Sequence, residues 1–400
     1  MTEPARTAGS GTLTSPDSLA PFVTDSYDAV VVGGGIVGSS VAYHLAREGT
    51  DALLADRRDE GRATDAGAGI LSPATTSRDD ETWVRFAVEA VDYYDELVSA
   101  LEAEQDGPHG YAERGLLSVA VDDAEADAYD RTLELVRKRR ERYGTPAPGT
   151  IRELDAEEAK SRFPPLAETE RAFYYDAAAR VDGRTFEAAL RRAGRTHGLT
   201  EREASVAEIR LDGGEVRGVT LEDGSEIDAE NVVVAGGAWS AAFESQLGVE
   251  VPVEPQRGQI VHLDVDEDTE GWPIVSPFEG HYMVSWDDGR VAAGATRETG
   301  AGFAPHTTVA GLREVFEEVL RVAPGLSDAS LRTLRVGLRP LSEDGHPVLG
   351  EVPGVSGAYV ATGHGPTGLQ LGPYSGKLLA QAVRGETPDT DISQFGIGRF

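Results

Sequence analysis

The segment that most constrains this chain runs from residue 28 to residue 56. DAVVVG (28–33) is short, apolar and valine-rich, so it predicts a buried strand. Gly33-Gly34-Gly35-Ile36-Val37-Gly38 follows, and from Val37 to Glu48 the residues Val37, Val41 and Leu45 fall on one helical face. DALLAD (51–56) is a second strand, ending in Asp56. This is a βαβ unit in which Gly33, Gly35 and Gly38 match GxGxxG. Alone, such a match is weak, because a glycine-rich turn can bind nothing. A strand before it, a helix after it and an acid 18 residues past Gly38 turn it into a dinucleotide site. The glycines let backbone N–H groups approach a pyrophosphate, and the helix N-terminus adds partial positive charge. Asp56 is placed to accept hydrogen bonds from ribose hydroxyls.

Two further segments bear on which dinucleotide is bound. A nicotinamide-binding fold would continue into its next βα unit, whereas EGRATDAGAGILS (60–72) is a loop of small residues suited to lying beside an extended cofactor. NVVVAGGAWS (231–240) is a buried strand ending in Gly236 and Gly237, followed by Trp239, and brings main chain to the nucleotide from the other side. Both favour FAD over NAD.

With 400 residues the chain exceeds one ordinary core, so two domains are expected. A 40% hydrophobic content supports a buried interior, and no apolar run approaches the ~20 residues of a membrane span. Residues 1–25 are rich in Ser, Thr, Gly and Pro, lack a signal-peptide pattern and predict a loose tail, and the protein is expected in the cytoplasm. Acids outnumber bases 69 to 37, for a net charge of -32, and the only lysines are Lys138, Lys160 and Lys377. At molar salt, where the screening length falls to ~3 Å, dense carboxylates keep a surface hydrated. The acid excess therefore predicts adaptation to a salty cytoplasm, as in halophilic archaea. The same charge disfavours nucleic acid, since there is no basic stripe to meet phosphates. The absence of cysteine excludes disulfides, thiolate metal sites and cysteine-linked flavin. The eight histidines show no paired ligand spacing, so no metal is expected.

Beyond the first unit, Thr82 to about Arg142 reads as helical with a break at DGPHG (106–110). Asp182 is placed to cap a helix that ends at Gly198. SVAEIRL, GEVRGVTL and IDAENVVVAGG read as strands separated by DGG (212–214) and DGS (223–225), and residues 251–296 form a second strand-rich region. AYVATG (358–363), a glycine-rich turn and a helix from Thr367 to Val383 close the chain, and no internal repeat is found.

The motifs GGGIVGSSVAYHLAREG (33–49), GAGIL (67–71), VVVAGGAWS (232–240), QRGQ (256–259), DGRVAAGATRE (288–298), GLRPLSEDGHPVLG (337–350) and ATGHGPTGL (361–369) stand in this order over residues 27–385. The sequence thereby resembles the FAD-dependent D-amino acid oxidase family, which includes glycine oxidase, sarcosine oxidase and D-amino acid dehydrogenase. The resemblance implies an α/β fold, with a Rossmann-type FAD-binding domain interleaved with a substrate domain on a large mixed β-sheet. Residues 26–75, 176–245 and 331–390 are assigned to the first domain, and 76–175 and 246–330 to the second. It implies non-covalent FAD, with Ile36 and Val37 at the pyrophosphate turn and Asp56 and Arg57 near the adenosine ribose. Ala63 and Thr64 would face the phosphates or ribityl chain, and Ala68, Gly69 and Ile70 the flavin edge. Val206 resembles the position whose backbone bonds adenine, and is equally an ordinary strand residue.

Gly363, His364, Gly365, Pro366, Thr367, Gly368 and Leu369 precede the last helix, whose N-terminus, aimed at the flavin N1/C2 carbonyl, would stabilise charge arising on reduction. His364 is a candidate for proton transfer or simply a packed residue. Arg339, between Leu338 and Pro340, matches the family position that holds the substrate carboxylate, for which a guanidinium offers a planar bidentate fork. Tyr282 resembles a tyrosine that closes over the substrate, and is equally a core aromatic. Two departures stand out: Ser285-Trp286 replaces a common Pro-Arg, and an arginine of glycine oxidase near GHGPTG is absent. The expected reaction is oxidation of the C–N bond of a small D-amino acid by hydride transfer to flavin N5, giving an imine, then a 2-oxo acid and ammonia. Oxygen or another acceptor would reoxidise the flavin. Glycine or sarcosine oxidation, 2-hydroxy acid oxidation and a flavin-binding subunit of a complex are the alternatives; the oligomeric state is not legible.

Overall fold

The computed structural model describes Met1 and residues 25–400, and the expected tail of residues 1–25 lies outside them but for Met1 and Asp25. The first strand, Asp25–Val32, is flanked on one side by Ala52–Ala55 and on the other by Glu226–Val234, all parallel. Thr200–Arg202 extends the sheet beyond 52–55, and Ala358–Thr362 extends it beyond 226–234, again in parallel. Antiparallel strands Val206–Asp212 and Glu215–Leu221, and Val348–Glu351 against 358–362, complete eight strands. Parallel strands are covered on both faces, which is why Ala29–Val32 and Val232–Val234 read as unbroken apolar runs. Each such valine contributes about 1.5–3 kcal/mol on burial. Helices Ile36–Arg47 and Gly368–Val383 pack against each other over one face of this sheet.

The second sheet has nine strands. Val253–Asp264 and Ser330–Ser342 run antiparallel from Val253↔Ser342 to Asp264↔Ser330. Arg290–Gly294, Tyr282–Ser285, Ile274–Pro277, Leu116–Ala120, Arg171–Tyr175 and Ile151–Leu154 follow in order, with Glu298–Thr299 beside 253–264 at the far edge. The pairing of 274–277 with 116–120 is parallel and the rest antiparallel, so the sheet is mixed. The fold is thus α/β, with a Rossmann-type sheet interleaved along the chain with a large mixed sheet. Strand 330–342 is hydrogen-bonded along its length into the mixed sheet. It also touches the Rossmann side through the bridges Arg62↔Leu338 and Leu341↔His364.

The helical reading of residues 82–142 needs correction. Helices Glu81–Glu104 and Asp123–Tyr143 are present, but the strands Tyr111–Glu113 and Leu116–Ala120 lie between them. Leu116–Ala120 is buried on both faces, so its sequence lacks the alternation that marks a strand. The other predicted elements lie within a few residues of their expected bounds. Asp182 caps Gly183–Thr196, its carboxylate accepting from Thr185 N at 3.0 Å. No helix among the described residues is long and apolar enough to cross a membrane.

Candidate active site

One cavity of ≈540 Å³ lies where the two sheets meet. Its first wall is the turn after strand 25–32. A Cβ on Gly33 would come within 2.6 Å of the Ala235 carbonyl oxygen, and one on Gly34 within 2.6 Å of Asp56 Oδ2. No side chain fits either position, so main chain is laid bare to the cavity. Gly35 precedes the helix Ile36–Arg47 without a side-chain cap. Among the described residues no acceptor meets the N–H of Gly35 or Val37, while Thr64 Oγ1 takes the Ile36 N–H at 2.9 Å. A pyrophosphate would satisfy such donors.

Asp56 is buried and lines the cavity, but Arg62 reaches it first: Nη1 lies 2.9 Å from Oδ2. Arg62 also pairs with Asp65 and Glu187, each at 3.0 Å. Arg57 lines the cavity with its side chain exposed and paired to Asp59 at 2.6 Å. Val206 lines the wall beside Ser205 and Glu222, and Gly236, Gly237 and Trp239 line it from the end of strand 226–234. Ala63, Ala68, Gly69 and Ile70 form the next stretch, where Val181 N donates to Gly69 O at 2.9 Å. Gly365, Pro366, Thr367, Gly368 and Leu369 bring the N-terminus of helix 368–383 to the cavity. Gly38 and Gly363 stand behind the wall instead. A Cβ at Gly38 would meet Ala235 Cβ at 3.1 Å, and Gly363 turns the chain with φ +75°. The glycine cradle, its free N–H groups and the buried acid suit an extended dinucleotide, so these residues fit FAD.

Arg339 reaches into the same cavity from strand 330–342. Its Nη1 donates to the Thr296 carbonyl at 2.9 Å and approaches Gln256 Oε1 at 3.4 Å. Burial lowers its pKa from the ordinary arginine value, with Tyr282 opposing that shift. A guanidinium begins so far above neutrality that it stays charged. The space it occupies exists because residue 258 is glycine: a Cβ there would lie 2.6 Å from Arg339 Cζ. Tyr282, in register with Gly294 and lining the cavity, is held protonated because burial raises its hydroxyl above the ordinary value. Ile260 and Ala295 give this end apolar surface. His364 lines the cavity but is buried, with Nε2 and Ser375 Oγ 3.0 Å apart. Burial lowers it to about 4, so the ring is neutral at pH 7.

Among the lining residues that the sequence does not single out are the polar Arg62, Arg297 and Gln370, and Gly258 beside Arg339. Arg62 lies in the small-residue loop, Gly258 in QRGQ and Arg297 in DGRVAAGATRE, each inside a motif whose pattern does not mark it. Gln370, buried, accepts from Ser72 N at 3.3 Å, and no sequence signal marked it.

A nucleotide cradle on a parallel sheet and a guanidinium in the same cavity fit a flavin-dependent oxidoreductase. The family model for FAD-dependent oxidoreductases (DAO) matches residues 28–382, and the chain belongs to that family. It is an FAD-dependent enzyme. It is 38% identical over 368 residues to the oxidoreductase YurR of Bacillus subtilis, covering 92% of this chain and 97% of the relative. It is 31% identical over 370 residues to glycine oxidase of Pseudomonas aeruginosa, covering 92% and 97%. Among solved structures, iminodiacetate oxidase from Chelativorans sp. BNC1 superposes with a TM-score of 0.87 at 38% identity, covering 92% of this chain and 98% of that one.

Proposed function

We propose that the protein oxidises the C–N bond of a small α-amino acid held by its carboxylate on Arg339, with glycine and N-substituted glycines as the substrate set. The observation that carries this is Arg339 itself. It is a charged guanidinium facing the FAD cavity, braced by Thr296 and Gln256, with room reserved by Gly258. A planar fork of this kind suits a carboxylate. The relatives named glycine oxidase and iminodiacetate oxidase support the same substrate set. FAD, when bound, supplies the two-electron acceptor. The chain's own contribution is orientation: Arg339 fixes one end of the substrate and the Tyr282 hydroxyl lies beside it. Water hydrolyses the resulting imine to a 2-oxo acid and an amine.

His364 acts by positioning the turn before helix 368–383, consistent with a neutral ring held at Ser375. The residue roles given above for the FAD segments, and the division into domains, belong to this proposal. A small D-amino acid is the second reading, favoured by the apolar surface of Ile260 and Ala295, where an α side chain could lie. Arg339→Ala tests the proposal. The variant should keep its flavin spectrum and lose reduction by every amino acid that reduces the native enzyme. Retained reduction would refute the assignment.

A further inference from the structure

Arg339 as a carboxylate anchor has a counterpart on the connection between strands 290–294 and 298–299. Arg297 is the residue after Thr296, whose carbonyl holds Arg339, and it lines the same cavity. Its side chain is exposed. No carboxylate among the described residues pairs with it, in a chain where acids outnumber bases 69 to 37. The adjacent acid is already committed: Glu298 accepts from Arg257 at 2.6 Å, from Gln259 at 2.5 Å and from Thr296 at 2.7 Å. Burial raises the Tyr282 hydroxyl and lowers Arg339, and the positive field of Arg297 opposes the first shift and adds to the second. An unpaired cation facing a cavity among so many acids is matched by an anion from outside, since the protein has spent its own nearby carboxylate elsewhere.

We propose that Arg297 and Arg339 form two carboxylate subsites at opposite ends of one substrate, and that the preferred substrate class is a secondary amine with a carboxymethyl group on each side. This inference rests on the role given to Arg339. Arg339, the more enclosed of the two, takes the carboxylate next to the carbon that is oxidised. Arg297, exposed at the cavity edge, takes the distal one and draws the dianion in. For the simplest such amine, a hydride leaves the α-carbon for FAD and the nitrogen releases its proton, leaving a C=N bond. Water adds to that carbon and the C–N bond breaks, giving glyoxylate and glycine.

Two redox-inert thioethers separate the subsites on the FAD-loaded enzyme. Thiodiacetate has a carboxylate at each end and (methylthio)acetate has one; binding of either is read from the flavin absorbance. The native enzyme should bind thiodiacetate at least tenfold more tightly, Arg297→Gln should remove that preference, and Arg297→Lys should restore part of it. The ratio of kcat/KM for iminodiacetate to that for sarcosine should fall at least tenfold in Arg297→Gln. Equal affinity for the two thioethers, or a preference that survives Arg297→Gln, overturns the second subsite. If Arg339→Ala still abolishes (methylthio)acetate binding in that case, the proposed function stands without it. If Arg339→Ala leaves (methylthio)acetate binding intact, the proposed function falls and the two-subsite assignment falls with it.

Discussion

Gly258→Ala is a perturbation of one methyl group whose effect follows from geometry. The new Cβ would lie 2.6 Å from Arg339 Cζ and 2.7 Å from Nη1, about 0.8 Å inside ordinary contact. Gly258 pairs with Gly337 in mid-sheet without a left-handed φ, so the backbone tolerates alanine. The mobile party is the tip of Arg339, which must leave its hydrogen bond to the Thr296 carbonyl. A displacement near 1 Å of a group that orients substrate costs about 100-fold in rate, or about 2.7 kcal/mol in activation free energy. The assay is kcat/KM for the best amino acid reductant, beside FAD content and thermal melting. We expect kcat/KM to fall about 100-fold with FAD and melting retained. Native kcat/KM in Gly258→Ala would refute the reasoning.

Arg62→Ala should destabilise by about 2 kcal/mol and weaken FAD binding, since it removes one of the two guanidinium partners of buried Asp56 and Glu187 and leaves Arg191 as the other; chemical denaturation at fixed FAD checks it, and an unchanged midpoint would contradict it. Stability should rise from 0.1 M to molar salt as the screening length shortens from ~10 to ~3 Å around a net charge of -32, and a melting temperature that is flat or falling with salt would contradict the halophilic reading. Burial lowers His44 to about 4, His262 to about 3 and His364 to about 4, against 6.5 when unfolded. The unfolded chain therefore takes up these protons first, so stability is full above pH 6.5 and is lost as pH falls toward 4, by up to about 1.4 kcal/mol per pH unit for each histidine. Melting at pH 7.5, 5.5 and 4.5 in constant salt checks this, and a flat profile would contradict it.

The parts of this molecule legible from sequence are those decided locally. The turn at Gly33–Gly38 needs glycine for close approach, and Asp182 needs only the three residues after it to act as a cap. Leu116–Ala120 was illegible because its partner, Ile274–Pro277, lies far along the chain and its burial on both faces erases alternation. The same holds at the site. Arg339 stood out through its motif, but the reason it has space is Gly258, which register alone brings beside it. Arg297 reads as one more surface arginine until the mixed sheet turns it toward the cavity and Glu298 is seen to be engaged by Arg257. Arg62 was hidden because its significance depends on Glu187, distant in sequence and close in space.

The central claim is tested most directly by the anaerobic absorbance of the FAD-loaded enzyme in molar salt, recorded before and after adding glycine, sarcosine, iminodiacetate or D-alanine. Bleaching of the flavin band by at least one of these in the native enzyme, and by none in Arg339→Ala, is the predicted result. A flavin that stays oxidised with all four, or an Arg339→Ala variant that bleaches as the native enzyme does, would contradict amino acid oxidation at this cavity.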